Sequence, residues 1–332
     1  MSEKGSESMK KFRLMTAFVV ICSLMLTFAQ ASSPISPKIV FGADPDSDLD
    51  AGPTDAEHIE YDGSSDENWY EAIEGFFSIK SLEETTASSL PLTGSDSEEI
   101  RTVFIEDTTF AALRDFVELH APDAEFTYNN GTVTVAYENT YMEFHEGAIY
   151  YYVNGRVLPL DRVCFETDGT FYVPIRALAL IYSYNVAWSE PEQTVTLSPN
   201  GEELLTGEEF YNYDEYMLMA RLINAESGNQ PLKGKIAVGN VIMNRVADPR
   251  FPSTISGVIY DRSCGIQFTT AYNGSLNKKP NEESLLAAKL CLEGYSVTDS
   301  CLYFLNPRIS GGSWVTRNRP YVMTIADHAF YS

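Results

Sequence analysis

Glu226 follows a stretch, Tyr216-Met217-Leu218-Met219-Ala220-Arg221-Leu222-Ile223, in which Leu218, Met219, Leu222 and Ile223 recur at helical spacing on one face. Gly228 comes two residues later as a helix C-cap. The spacing therefore puts the Glu226 carboxyl group at the C-terminal end of a largely buried helix. Apolar neighbours and the negative end of the helix dipole both disfavour the ionised form there. A glutamate held protonated near neutrality is the general acid that protonation of a glycosidic oxygen requires. On spacing alone, an exposed last-turn glutamate reads equally well.

A glycosidase that uses water needs a second carboxylate, as nucleophile or as base. The candidates are Asp248, Asp261, Glu282, Glu283 and Asp327, and none has a comparably apolar setting. Asp248, beside Pro249 and Arg250, reads as a turn, and Glu282 and Glu283 fit the first turn of a helix. For contact with a sugar, the amides of Gln267 and Asn306 suit N-acetyl groups, and the rings of Tyr303 and Trp314 suit pyranose faces. Tyr303 lies in a short apolar strand-like run, where core packing is the competing role. Trp314, after Gly311 and Gly312, reads as loop-borne. Asn244 and Arg245 end a buried helix and read as structural, as does a hydrogen-bonded His328 beside Asp327.

The letters around these residues carry a resemblance. The segments 220–229, 234–246 and 249–260 resemble the SleB-type cell wall hydrolases, and the likeness continues through Gln267-Phe268, Pro280-Asn281-Glu282-Glu283, 302–307, Ser313-Trp314 and 325–330. It covers essentially all of 213–332. Ala326 stands where the family usually has glycine, and Gly265-Ile266 ahead of Gln267 is a second departure. The resemblance implies a mainly helical, lysozyme-like fold in which Glu226 acts first as acid and then as base. It would protonate the oxygen joining N-acetylmuramic acid to N-acetylglucosamine, then accept the proton of the muramic C6 hydroxyl as a 1,6-anhydro ring closes. A hydrolytic muramidase on the same fold and a non-catalytic wall-binding protein are the competing readings.

Upstream, residues 103–198 contain an internal repeat at a constant offset, with no gap. Phe110-Ala111-Ala112-Leu113-Arg114 falls on Tyr172-Val173-Pro174-Ile175-Arg176, Phe126 on Trp188, and 132–135 on 194–197. Each copy predicts a short helix followed by a two-stranded hairpin. The turns are at Asn129-Asn130-Gly131 and at Glu190-Pro191-Glu192. Residues 148–160 predict further strand around Asn154-Gly155. The second copy, through Val153-Asn154-Gly155, 172–176, 186–188 and 194–197, resembles the stalk module at the N-terminus of some copper amine oxidases and on exported wall proteins. The resemblance implies a spacer or wall-adhesion module and implies neither copper nor amine oxidation.

The N-terminus reads as an export signal over 1–31, with Lys10, Lys11 and Arg13 ahead of an apolar run (16–28) and a small-x-small site at Ala29-Gln30-Ala31. An uncleaved membrane anchor is the alternative. Residues 32–102 read as an acidic, disordered linker in which Lys80 is the only cation of 43–99. It includes an aromatic island at 69–82 and a chance sorting-signal string at 90–94. The chain's net charge of −24 resides upstream, since 213–332 carries about two more cations than anions. No basic stripe suggests nucleic acid.

Cys164, Cys264, Cys291 and Cys301 make no staple framework, although export is compatible with one bridge among the last three. No Cys or His pair has zinc-ligand spacing, and no cofactor is expected. The architecture expected is multidomain α+β: a β-rich repeat stalk with short helices (103–198), a polar linker (199–212) and the mainly α catalytic domain (213–332). The expected partners are peptidoglycan glycan strands, with the stalk as the place for a wall, divisome or spore-coat partner. No membrane span is expected once the signal is cleaved.

Overall fold

The repeat pairs with itself. Its first copy comprises β1 (Thr102–Ile105), β2 (Thr108–Ala112), helix α1 (Leu113–His120), β3 (Glu125–Asn129) and β4 (Thr132–Tyr137). β5 (Thr140–His145), β6 (Tyr150–Val153) and β7 (Arg156–Pro159) follow. The second copy is β8 (Phe165–Thr167), β9 (Thr170–Pro174), α2 (Ile175–Ile181), β10 (Tyr184–Ser189) and β11 (Thr194–Pro199). β2 and β9 run antiparallel at the centre of a β1-β2-β9-β8 sheet, where Ala111 faces Val173. Those two residues are equivalent positions of the repeat, so a local two-fold relates the copies there.

The computed structural model describes residues 100–189, 194–310 and 312–332, all within one unit, Tyr61–Ser332. The export signal, the acidic stretch to residue 99 and the 190–193 turn lie outside the described residues. Among them, no helix is long and apolar enough to cross a membrane.

The Asn-Gly turns behave as their residues require. Asn130 and Gly131 take φ of 47° and 77°, and Asn154 and Gly155 take 46° and 81°. These left-handed pairs match the twist of a tight hairpin. They close β3 on β4 and β6 on β7 within the five-stranded sheet β3-β4-β5-β6-β7. In β4 and β5 the apolar side chains alternate inward, with Val133, Val135, Met142 and Phe144 buried in the stalk core.

The β6–β7 hairpin does not alternate, because both its faces are covered. Tyr151, Val153 and Leu158 enter the stalk core. Tyr150 and Val157, on the opposite face, belong to the core of the helical domain. Fully burying a side chain the size of Val157 contributes about 1.5–3 kcal/mol, so this seam holds the domains together.

The polar connection 199–212 has structure of its own. It carries α3 (Gly207–Phe210), whose Thr206 and Glu209 form a reciprocal capping box. A Cβ on Gly207 would meet the Gly155 carbonyl oxygen at 2.6 Å, so only glycine allows α3 to rest on the hairpin turn.

The last domain is built on α4 (Tyr213–Ser227), α5 (Leu232–Ala247), α6 (Ile255–Ile259) and α7 (Glu282–Leu292). Asn212, Thr254 and Asn281 cap α4, α6 and α7 with their side chains. Met219, Leu222, Ile223, Ile236, Val238, Val241, Ile242 and Leu290 fill the space between them. Beyond the helices the chain adds β12 (Tyr303–Leu305), the short α8 (Trp314–Asn318), β13 (Tyr321–Ile325) and β14 (His328–Tyr331), with strand order β12-β14-β13. This domain is therefore a helical cluster with a sheet of its own.

Four charged or polar groups stitch stalk to helical domain. Arg156 forms a forked pair with Glu293, Nε to Oε1 at 2.9 Å and Nη2 to Oε2 at 2.6 Å. The Tyr211 hydroxyl donates to the same Oε1 at 2.6 Å, and Lys289 donates to the Gly155 carbonyl at 2.9 Å. The Arg156 guanidinium also covers the Phe210 ring at 3.9 Å.

Candidate active site

Glu226 is the penultimate residue of α4. Its side chain is half-buried, and burial pushes its carboxyl pKa above the ordinary glutamate value of 4.5. Thr270, from the 3₁₀ turn Thr269–Ala271, donates its hydroxyl to Glu226 Oε1 and pulls the pKa partly back. The helix end that presents this carboxyl group is fixed by its neighbours. Asn224 Oδ1 accepts from the Asn281 amide at 3.1 Å, and the Asn281 side chain donates to the Gly228 carbonyl at 3.1 Å. Gly228 does end the helix, but at φ −56°, with right-handed rather than left-handed dihedrals. Glycine is needed for a different reason, since a Cβ there would lie 2.5 Å from the Asn224 carbonyl oxygen.

An aromatic cluster continues from Phe268, two residues before Thr270. The buried guanidinium of Arg245 lies 5.2 Å from the Phe268 ring, 5.1 Å from Phe251 and 5.4 Å from Tyr303. Arg319 covers Tyr303 at 4.9 Å and Trp314 at 5.0 Å, and the two rings meet edge to face at 6.4 Å. Tyr303 and Trp314 thus form one wall, with Trp314 exposed at the N-terminus of α8, capped by Ser313.

The two amides have other partners. Gln267, next to Phe268, donates to the Gly265 carbonyl at 3.2 Å. Asn306 Oδ1 accepts from the Arg308 amide at 3.0 Å, and its carbonyl accepts from Ser310 at 2.9 Å, which holds the 306–310 turn. No hydrogen bond among the described residues joins Asn306 to Glu226.

The other candidate carboxylates are occupied or exposed. Arg250 grips Asp248 and holds its pKa down at about 2. Asp261 accepts from the Ser263 amide and hydroxyl, which lower its pKa. Glu283 pairs with the buried Lys235, and Asp327 with Gln230 and Arg308. Glu282 is exposed in the first turn of α7.

Asn244 and Arg245 bind the carbonyls of Thr298, Cys301 and Leu302 and so are structural. His328 packs on Phe304 at 5.3 Å, but its buried Nδ1 has no hydrogen-bond partner among the described residues; burial lowers its pKa. Cys164, Cys264, Cys291 and Cys301 are free thiols, only Cys264 being exposed.

Thr270 and Arg319 were not evident from sequence. Both act across the fold, Thr270 44 positions from Glu226, and neither stands in a periodic pattern.

Comparison with known proteins defines the class. Residues 229–331 match the Cell Wall Hydrolase family, and residues 95–197 match the copper amine oxidase N-terminal domain. The carboxy-terminal part of the chain belongs to the cell wall hydrolase family, although Glu226 lies just ahead of the first matched residue.

Among individual relatives, the spore cortex-lytic enzyme of Bacillus cereus is 33% identical over 140 residues, 42% of this chain and 49% of that protein. The spore cortex-lytic enzyme of Bacillus subtilis is 28% identical over 120 residues, 36% of this chain and 38% of its own length. The chain thus spans about half, or less, of these curated relatives. Among solved structures, the catalytic domain of the germination-specific lytic transglycosylase SleB from Bacillus anthracis has 33% sequence identity. The match covers 37% of this chain and 97% of that one, with a TM-score of 0.34.

Proposed function

We propose that the chain is an extracytoplasmic, peptidoglycan-cleaving lytic transglycosylase with Glu226 as its single acid and base, on a lysozyme-like arrangement of α4, α5 and α7. The supporting observation is that Glu226 alone among the candidate carboxylates has its pKa raised by burial, while the others are bound elsewhere or exposed. Glu226 would donate its proton to the oxygen between N-acetylmuramic acid and N-acetylglucosamine as the C1–O bond breaks. The carboxylate left behind would take the proton of the muramic C6 hydroxyl, whose oxygen closes on C1. Water enters neither step, so no second carboxylate is required. Tyr303 and Trp314 would carry the sugar faces and Gln267 an N-acetyl group. Asn306 would border that wall from its own turn. The setting is wall remodelling or, as in the named relatives, spore cortex.

Mass spectrometry of the products from purified peptidoglycan tests the reading. Anhydromuramic ends are expected. Reducing ends carrying an added water would make the chain a hydrolase instead, and no cleavage would favour a wall-binding protein.

Thr270→Val is expected to slow cleavage by about tenfold or more, because a carboxyl group released from its donor loses its aim. The hydroxyl lowers the Glu226 pKa. Its removal therefore raises that pKa, keeps the acid protonated to higher pH and moves the alkaline limb of the activity profile upward. Thr270→Ser should preserve both rate and profile.

A further inference from the structure

The two copies of the stalk repeat treat the same pair of positions differently. In the first, Arg114 lies 4.1 Å over the Phe126 ring and pairs with Glu118 one turn along α1, at 3.1 Å. In the second, the equivalents are Arg176, Trp188 and Leu180, so the arginine has lost the acid that held it. Trp188 stacks instead on Phe104, with centroids 5.5 Å apart and planes within 7°. Arg176 makes no ion pair among the described residues and is exposed. A closed pair in one copy has become an open cavity of about 430 Å³ in the other, lined by Phe104, Trp188, Arg176, Asp107, Asp161 and Thr108.

We propose that this cavity is a second glycan-binding site, separate from the Glu226 site. Phe104 and Trp188 supply flat apolar surface, each with 39% of its area exposed. That surface suits the C–H face of a pyranose. Asp107 and Asp161 accept from sugar hydroxyls, while Arg176 and Thr108 donate to ring or acetamido oxygens. Two carboxylates against one guanidinium leave the site slightly anionic. It therefore selects a neutral, hydroxyl-rich ligand over a phosphate polymer or a carboxylate-bearing peptide. The choice of peptidoglycan glycan among neutral sugars rests on the proposed reading of the catalytic domain.

The chain has three tryptophans, Trp69, Trp188 and Trp314, so fluorotryptophan labelling of the full chain gives three assignable ¹⁹F resonances. The titrant is glycan strands whose stem peptides are removed and whose lactyl carboxyl groups are capped as amides, so that the ligand is neutral, with Glu226→Gln in every sample to prevent cleavage. The Trp188 resonance should shift saturably. Arg176→Ala should weaken that shift about tenfold, the loss of one charge-assisted hydrogen bond. The same variant, in the otherwise native chain, should cleave short soluble glycans at the native rate. A stationary Trp188 resonance, or one that moves only with free stem peptides, overturns the site. Trp314 reports the Tyr303–Trp314 wall independently, so its response shows whether the catalytic reading fails as well.

Discussion

Replacing Glu226 with glutamine is expected to lower glycan cleavage by about 10³-fold while leaving the fold intact. The amide is nearly isosteric, and its oxygen can still accept the Thr270 hydroxyl, so orientation is kept and only the transferable proton is lost. Stability gives a second readout. Burial raises the folded-state pKa above 4.5, so the folded protein holds that proton more tightly than the unfolded chain. Stability is therefore lost as pH climbs from the unfolded value through the folded one, and at neutral pH the native chain carries a penalty that the amide avoids. Glu226→Gln should melt at a higher temperature than the native chain at pH 7, and the difference should vanish below about pH 4.5. Retained cleavage in the variant would remove Glu226 from the mechanism. A lower melting temperature at pH 7 would show that its charge stabilises the fold.

Removing the Arg156 side chain should have the largest effect on stability, about 3–5 kcal/mol. The pair it forms with Glu293 is nearly inaccessible, with side-chain exposures of 10% and 3%. Arg156→Ala leaves the buried Glu293 with the Tyr211 hydroxyl as its one hydrogen-bond donor among the described residues, with Lys289 as the nearby charge, and strips the cover from Phe210. For a unit of this size the loss corresponds to a fall of roughly 10 °C in melting temperature. Converting both partners, as Arg156→Met with Glu293→Leu, should restore most of it, because neither charge then has to be desolvated. The residual cost is the Tyr211 hydroxyl without its acceptor, about 1 kcal/mol. Calorimetry of the two variants distinguishes an isolated buried charge from a general packing defect, since a packing defect would not recover in the double variant.

Local chemistry was readable in the sequence wherever a few adjacent residues determine it. The Asn-Gly turns, the repeat offset, the apolar face of α4 and the place of Glu226 at its end all follow from short-range pattern. Gly311 and Gly312 ahead of Trp314 read as loop, whereas Ser313 caps Trp314 into a short helix, an ambiguity inherent in five residues. Long-range partners were not readable. Arg156 and Glu293 are 137 positions apart, and neither has a neighbour that advertises burial. The seam did leave one mark, in the run Ile149-Tyr150-Tyr151-Tyr152-Val153. Its failure to alternate is what a strand covered on both sides requires. The amides of Gln267 and Asn306 show the opposite limit, since residue type suggested sugar contact and the structure shows each also bracing its own loop.

The β6–β7 hairpin, shared between two cores, couples the unfolding of the stalk to that of the helical domain. Val157 and Tyr150 complete one interior while Tyr151 and Leu158 complete the other. A cut anywhere in 199–212 would leave one half with an uncovered apolar wall and the other with a stranded Glu293. In this chain the catalytic half, taken away from the stalk, would thus carry an apolar wall that any new scaffold has to cover.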